Sequence, residues 1–450
     1  MARWLLLSLL VVIPAHSRGA APPARPEAKG EAATRGEKAL LTKSYNPPTM
    51  APNNRDNAWK NWGLKEKPAD FDRLFRERYG LHPAPYPNDG LPMGMRHAPM
   101  KFSAAKGLTT DCMLCHGGSI FGQSYVGLGN ASLDMQAFYV EVVGGPRRTK
   151  PPFTFSNVRG TVEAGGMSVY LLGYREPDLS LRLTRRELDL NDDLCEDVPA
   201  WWILHKKKTM YHNGGMDVRS SRSIMQFMMS PLNFSSAFPH AEKDFEDIRE
   251  FLASLRAPKY PLAIDRGEAA KGEVVFRANC AKCHGTYGEK WTYPNKVIAL
   301  DEIGTDPNRH RGIAAAYGTE YSESWFGKEQ PPKPLQMTAG YQAPPLDGIW
   351  ATAPYFHNGS VPTLAGVLNT KARPKRFTRS FKTGEADYDK VKVGWKVTET
   401  RDPPSEKLAP IEQRKVYDTS KPGRANTGHT YGDDLSEEER GQVIEYLKTL

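Results

Sequence analysis

The sequence predicts a mainly α chain built from two units of related plan, each carrying long loop-rich insertions. Three observations predict it. The closing segment Gln442 to Leu450 (QVIEYLKTL) aligns with Asp247 to Leu255 (DIREFLASL): Glu, Leu and Leu are identical, and Val/Ile, Tyr/Phe and Thr/Ser are similar. Each copy follows a C-x-x-C-H motif. Finally, 39 Gly and 36 Pro in 450 residues leave room for loops, while 25% charged and 10% aromatic residues are ordinary for a globular chain.

Taken in order, residues 1–17 read as an export signal. Arg3 precedes the apolar run Trp4 to Ile13, and Ala15-His16-Ser17 supplies a small-x-small cleavage pattern. The run is about half the roughly 20 residues a spanning helix needs, and no later segment reaches that length. An exported, periplasmic or extracellular chain without a membrane span is expected. Residues 18–60, rich in Ala, Pro, Lys and Glu without apolar periodicity, are expected to be a flexible linker. The first unit is placed at 61–257, a short linker at 258–264 and the second unit at 265–450. Ala270, Gly272, Val275 and Phe276 form an amphipathic helix before Cys280, with Gly272 permitting a close helix contact. Ser436 and Glu439 form a capping box for a terminal helix whose Val443, Ile444 and Leu447 share a face.

The chemistry lies in the cysteines. Of five, four sit in Cys112-Met-Leu-Cys115-His116 and Cys280-Ala-Lys-Cys283-His284. Composition alone would yield roughly 0.001 C-x-x-C-H motifs in such a chain, and two are present. On a helical turn the two Cys share a face and can each bond a haem vinyl group; the His then falls beneath the ring as iron ligand. A thioredoxin-like dithiol leaves both histidines unexplained, as does a four-Cys zinc site. The two units are therefore read as cytochrome c-like domains with two covalently attached haem c groups, each bringing iron. Cys195, left over, is expected to be a buried thiol.

The sixth iron position separates electron carriage from chemistry. His429 is the candidate in the second unit, with Met337 and His357 as rivals. It lies 21 residues before the chain end, and the same count back from Leu255 reaches Phe234, which cannot ligate iron. If that register holds, Phe234 lines an apolar distal pocket above an open iron on His116. The alternatives are Phe234 as core, or a thioether ligand from Met225, Met228 or Met229. Trp201 and Trp202 are expected in the core, and Lys206 to Lys208 as a solvated charge run.

The stretch from Tyr341 to Leu364, which includes Ala353-Pro-Tyr-Phe-His-Asn-Gly-Ser360, together with Ile303-Gly-Thr-Asp-Pro307, resembles the second half of bacterial rubber-oxygenase-like dihaem cytochromes. These are relatives of the dihaem cytochrome c peroxidases. The resemblance spans roughly residues 100 to 450. It implies an N-terminal haem at His116 where O₂ or H₂O₂ reacts, a distal aromatic matched by Phe234, and a C-terminal haem held by His284 and His429. Ala200-Trp201-Trp202 resembles the family's Pro-Ala-Trp-Trp segment near the interdomain region. The expected function is haem binding and electron transfer, with dioxygenase- or peroxidase-like oxidoreductase activity at the first haem. The alternative is a non-catalytic carrier with both haems six-coordinate. A net charge of +9 favours an acidic redox protein as partner, or a small-molecule electron donor; nucleic acid is not expected.

Overall fold

The structure, a computed structural model, describes residues 30–100, 105–144, 153–190, 193–313, 315–329 and 335–450. The predicted export signal at residues 1–17 lies outside them. The chain is 36% helical and 13% strand, so the expectation of a mainly α fold is corrected to a mixed one. The physical reason lies in the insertions. They do not continue the helical pattern but fold as loops pinned by small antiparallel sheets of two or three strands.

The first unit begins with α1 (Glu31–Thr42) inside the segment expected to be a flexible linker. That expectation is corrected for these residues. Three apolar residues, Ala33, Ala39 and Leu40, are buried, and the helix lies along α3, introduced below. Strands β1 (Met95–Pro99) and β2 (Lys106–Thr110) pair from Met95↔Thr110 to Pro99↔Lys106 and deliver the chain to α2 (Met113–His116). A long excursion then leads to α3 (Ala237–Ser254). The second unit opens with α4 (Arg266–Asn279) and α5 (Ala281–His284); β3 (Val297–Ala299) pairs with β4 (Gly340–Gln342), and α6 (Glu437–Leu447) closes it. Between α3 and α4 the chain runs without helix or strand.

Both units are built on one helix crossing. A Cβ on Gly36 of α1 would lie 1.9 Å from the Asp247 carbonyl oxygen of α3; a Cβ on Gly272 of α4 would lie 1.9 Å from that of Gln442 on α6. Asp247 and Gln442 are the aligned first residues of the nine-residue repeat. The repeat thus extends from sequence to helix contact. Arg35 adds a fork onto Asp247, with Nε and Nη2 donating to the carboxylate at 2.8 and 2.9 Å.

Two buried clusters centre on these crossings and exchange residues: Tyr317, Tyr321 and Phe326 join that of the first unit, and Ile120, Leu128, Ala200 and Ile203 that of the second. Phe245, Phe251, Met113 and Trp201 belong to one buried cluster, and Phe276, Trp350, Val443 and Tyr446 to another. Trp202 belongs to the second. Adjacent tryptophans therefore point into different cores, which welds the units through about 150–250 Å² of buried surface each.

Candidate haem sites

The first motif is held by charge. Arg96, buried, donates to the carbonyls of Leu40 and Leu41 at the end of α1 and pairs with Asp111 at 2.7 Å. Asp111 in turn accepts the Met113 backbone N–H at 2.9 Å, which starts the α2 turn; the His116 N–H donates to the Cys112 carbonyl at 3.0 Å. Cys112 and Cys115 are free thiols, and burial pushes Cys115 up to about 12 and Cys112 further, so both stay protonated. The His116 ring stacks on Trp201, 4.5 Å between centroids at 23°. Burial drives its pKa down to about 4, partly offset by the Pro199 carbonyl. A neutral imidazole keeps the lone pair an iron needs.

At the second motif, Asp265 caps α4 by accepting from the Gly267 and Glu268 N–H groups at 3.0 Å, and Gly285, at φ +81°, ends the α5 turn. His284 Nδ1 lies 2.8 Å from the Pro344 carbonyl. A carbonyl only accepts, so Nδ1 carries the proton and Nε2 is the free ligand atom. Opposite stands His429, its ring centroid 6.3 Å from that of His284 at 60°. Metal–nitrogen bonds of about 2.0 Å on each side, plus about 1.1 Å from nitrogen to ring centre, require roughly 6.2 Å between centroids. The pair therefore fits two axial imidazoles about one iron. Burial lowers both, His429 to about 4 with help from His284 and Arg373.

The backbone at His429 is forced. Its φ is +47°, and Gly428 before it, at +71°, abuts Gly304 closely enough that a Cβ would lie 2.2 Å from the Gly304 carbonyl carbon. The His429 N–H donates to Ile303 at 2.8 Å, and the Arg373 guanidinium grips the carbonyls of Asn426, Gly428 and His429 at 2.6 to 3.2 Å. The Ile303-Gly304 segment is thus the shelf on which the His429 loop rests. Sequence reasoning missed Pro344 and Arg373; the Pro344-Pro345 pair before Leu346 was the available signal for the first, and nothing local marked the second.

Other expectations fare differently. Phe234 is not brought to His116: it precedes α3 and is 61% exposed, whereas Leu255, past the far end of that helix, touches the Gly127 and Trp201 region beside His116. Eighteen residues of helix, roughly 27 Å, lie between the two ends. The equal-count register fails because the two units differ in the loop before the last helix. Met225, Met228 and Met229 are fully buried in the core of the first unit. Met337 is 74% exposed, and His357 stacks on Tyr341 at 4.0 Å and lies 6.2 Å from the His212 ring. Cys195 is a buried free thiol, and Lys206 is not solvated but paired with Asp347 at 2.8 Å. The two motifs do not converge: among the described residues no group of three or more His, Cys, Asp or Glu is placed to hold a metal ion.

Trp201 and Trp202 link the sites. The first stacks on His116; the second donates its Nε1–H to the Asp347 carbonyl at 2.8 Å, three residues beyond the Pro344 that orients His284. This geometry defines a c-type cytochrome-like site. Comparison with known families agrees: residues 340–378 match the RoxA-like, cytochrome c-like family, a domain type that carries covalently bound haem c and its iron. The matched segment contains β4, Pro344, Asp347 and Arg373. The chain is also 29% identical over 278 residues to the uncharacterized protein y4iJ of Sinorhizobium fredii, covering 47% of this chain and 43% of that protein. It is 31% identical over 247 residues to the uncharacterized protein y4iM of the same organism, covering 45% and 53%. The chain thus spans about half the length of the curated relatives it matches. Among the described residues no helix is long and apolar enough to cross a membrane.

Proposed function

We propose that the protein is an exported dihaem c-type cytochrome whose second haem relays electrons and whose first reacts with O₂ or peroxide. The observation that carries this reading is an asymmetry. His284 faces a second imidazole at the spacing of two axial ligands, whereas among the described residues no imidazole stands so opposite His116, whose ring partner is Trp201. Two strong ligands favour electron transfer, and one leaves a coordination position for a small molecule.

When bound, haem iron supplies one-electron redox chemistry and, at an open position, affinity for a diatomic or peroxide ligand. The protein supplies the rest. Cys112, Cys115, Cys280 and Cys283 would hold the two groups through thioethers; His116, His284 and His429 would ligate. The Pro344 carbonyl fixes which ring nitrogen of His284 carries the proton. Trp201 blocks one face of His116 from water and keeps it upright, and Trp202 continues the contact path toward the second site.

A pyridine haemochrome titration and intact mass give the number of haems. Optical and EPR spectra with and without CO then separate the classes: one high-spin centre that takes up CO and one low-spin centre that ignores it are expected. Two low-spin centres that both ignore CO would overturn the reactive site and leave a plain electron carrier. His429→Ala should turn the low-spin centre high-spin; an unchanged spectrum would remove His429 from the ligand set.

A further inference from the structure

The loop that follows the second motif presents an indole to solvent in basic surroundings. Trp291 is 43% exposed. Its loop is closed by reciprocal backbone hydrogen bonds between Thr286 and Thr292, 3.0 and 3.2 Å long. One face of the indole is turned inward: Lys206 Nζ lies over it, 5.0 Å from its ring centre and 4.4 Å from that of Tyr287, and the His205 ring meets it in a T-shaped contact at 6.1 Å. Tyr287 donates its hydroxyl to the His284 carbonyl at 3.1 Å. A short chain of contacts therefore leads from a surface indole to the histidine of the second motif.

The charge around it is predominantly positive, with Glu289 of the same loop the one exposed carboxylate set against four cations. Lys208, Lys290, Lys296 and Arg256 are exposed. Lys290 adjoins Trp291 in the chain, the Lys208 N–H donates to the Asn295 side chain beside Lys296, and Arg256 acts electrostatically on His205. None of the four has a carboxylate partner among the described residues, while Lys206 beneath them is already paired with Asp347. Tryptophan flanked by a polar, charged rim is the composition of an interface anchor.

We propose that this face docks an acidic one-electron redox protein, with Trp291 as the anchor and the four cations as the rim. The proposal rests on reading the second motif as a haem site. Charge selects the occupant: a basic partner would be repelled, and a neutral one would leave four cations facing the single carboxylate of Glu289. The exchange is a single electron, the partner's centre oxidised by one and the iron reduced by one, with no bond made or broken.

The test uses the haem-loaded protein and an oxidised plant-type ferredoxin, which is acidic, as probe, with binding followed by calorimetry at low salt. Lys290→Glu with Lys296→Glu should weaken binding roughly tenfold or more and flatten its salt dependence, and Trp291→Ala should weaken it with the salt dependence kept. Lys407→Glu, a single charge reversal outside the patch, should bind as wild type. Absence of binding at low salt, or wild-type affinity in both patch variants, would overturn the proposal. So would a single-stranded oligonucleotide that binds more tightly than ferredoxin and is lost with the same substitutions. Intact mass keeps the two readings apart: no haem at Cys280 and Cys283 ends both, whereas a loaded second site with unaffected binding ends the docking proposal alone.

Discussion

Replacing Gly36 by Ala sets two effects of opposite sign against each other. In an isolated helix the change gains up to about 1 kcal/mol. Here the new Cβ would sit 1.9 Å from the Asp247 carbonyl oxygen, roughly 1.5 Å inside van der Waals contact. The obstacle is backbone, so no side chain can swing away. α1 must slide off α3, loosening the Arg35 fork on Asp247 and the Arg96 grip on the α1 carbonyls. Overpacking of this kind costs about 1–3 kcal/mol or more, which outweighs the propensity gain and leaves a net loss of about 1–2 kcal/mol. Melting should fall by roughly 2–8 °C in the haem-loaded protein, followed by far-UV circular dichroism and Soret absorbance together. Gly272→Ala should behave alike, since its clash with Gln442 has the same distance. Gly30→Ala, where a Cβ would meet nothing within 4 Å, is the control. A Gly36→Ala variant melting at or above wild type would refute the shared helix crossing.

Arg373→Met should cost about 2 kcal/mol, because it strips hydrogen bonds from four carbonyls of which three carry the His429 loop; EPR should show the low-spin signal of the second site broadened or split, with the first site unchanged. A low-spin signal identical to wild type would show that the loop holds itself. His82 is buried, Nε2 to Asn130 Oδ1 at 3.1 Å, and burial lowers it to about 4 from an unfolded value near 6.5. In that window the unfolded chain binds a proton that the folded chain refuses. Its contribution is complete above pH 6.5 and is lost as pH falls toward 4, on the order of 3 kcal/mol. His82→Gln should flatten that part of the stability–pH curve in denaturant titrations, and an unaltered slope would contradict it.

The two C-x-x-C-H turns were legible because the motif places fixed residue types at fixed spacing. The terminal helix was legible for a similar reason: the Ser436–Glu439 capping box and the apolar face are local and appear as read. His429 could be nominated from its place before that helix, yet its shelf at Ile303-Gly304 is about 125 residues away, a contact no local pattern reports. The α1 helix was missed although a signal existed. Ala33-Thr-Arg35-Gly36-Glu37 matches Ala269-Ala-Lys271-Gly272-Glu273, with Ala33 and Ala269 equally buried. Its partner cysteines lie some 70 residues downstream rather than in the next turn, so the match has no neighbouring motif to draw attention to it. Mixed secondary structure was hidden for a related reason: strands of two to five residues take their identity from a partner strand and not from their own periodicity.

The same helix crossing in both units makes the difference between the sites a matter of loops. In each unit, a glycine lets the first helix touch the last and a one-turn helix presents the histidine, which Trp201 stacks on in the first unit and the Pro344 carbonyl orients in the second. What the second unit adds is a loop forced to φ +47° at His429 by Gly304 and Arg373, so that an imidazole returns to face His284. In the first unit the corresponding count lands at Phe234, on the surface, and the chain before the last helix is instead committed to the methionine-rich core at Met225, Met228 and Met229. That core also holds Met113 of the first motif and Trp201, the ring partner of His116. One helix crossing thus carries two different loops, and the Trp201–Trp202 pair, split between the two cores, joins the halves through adjacent residues.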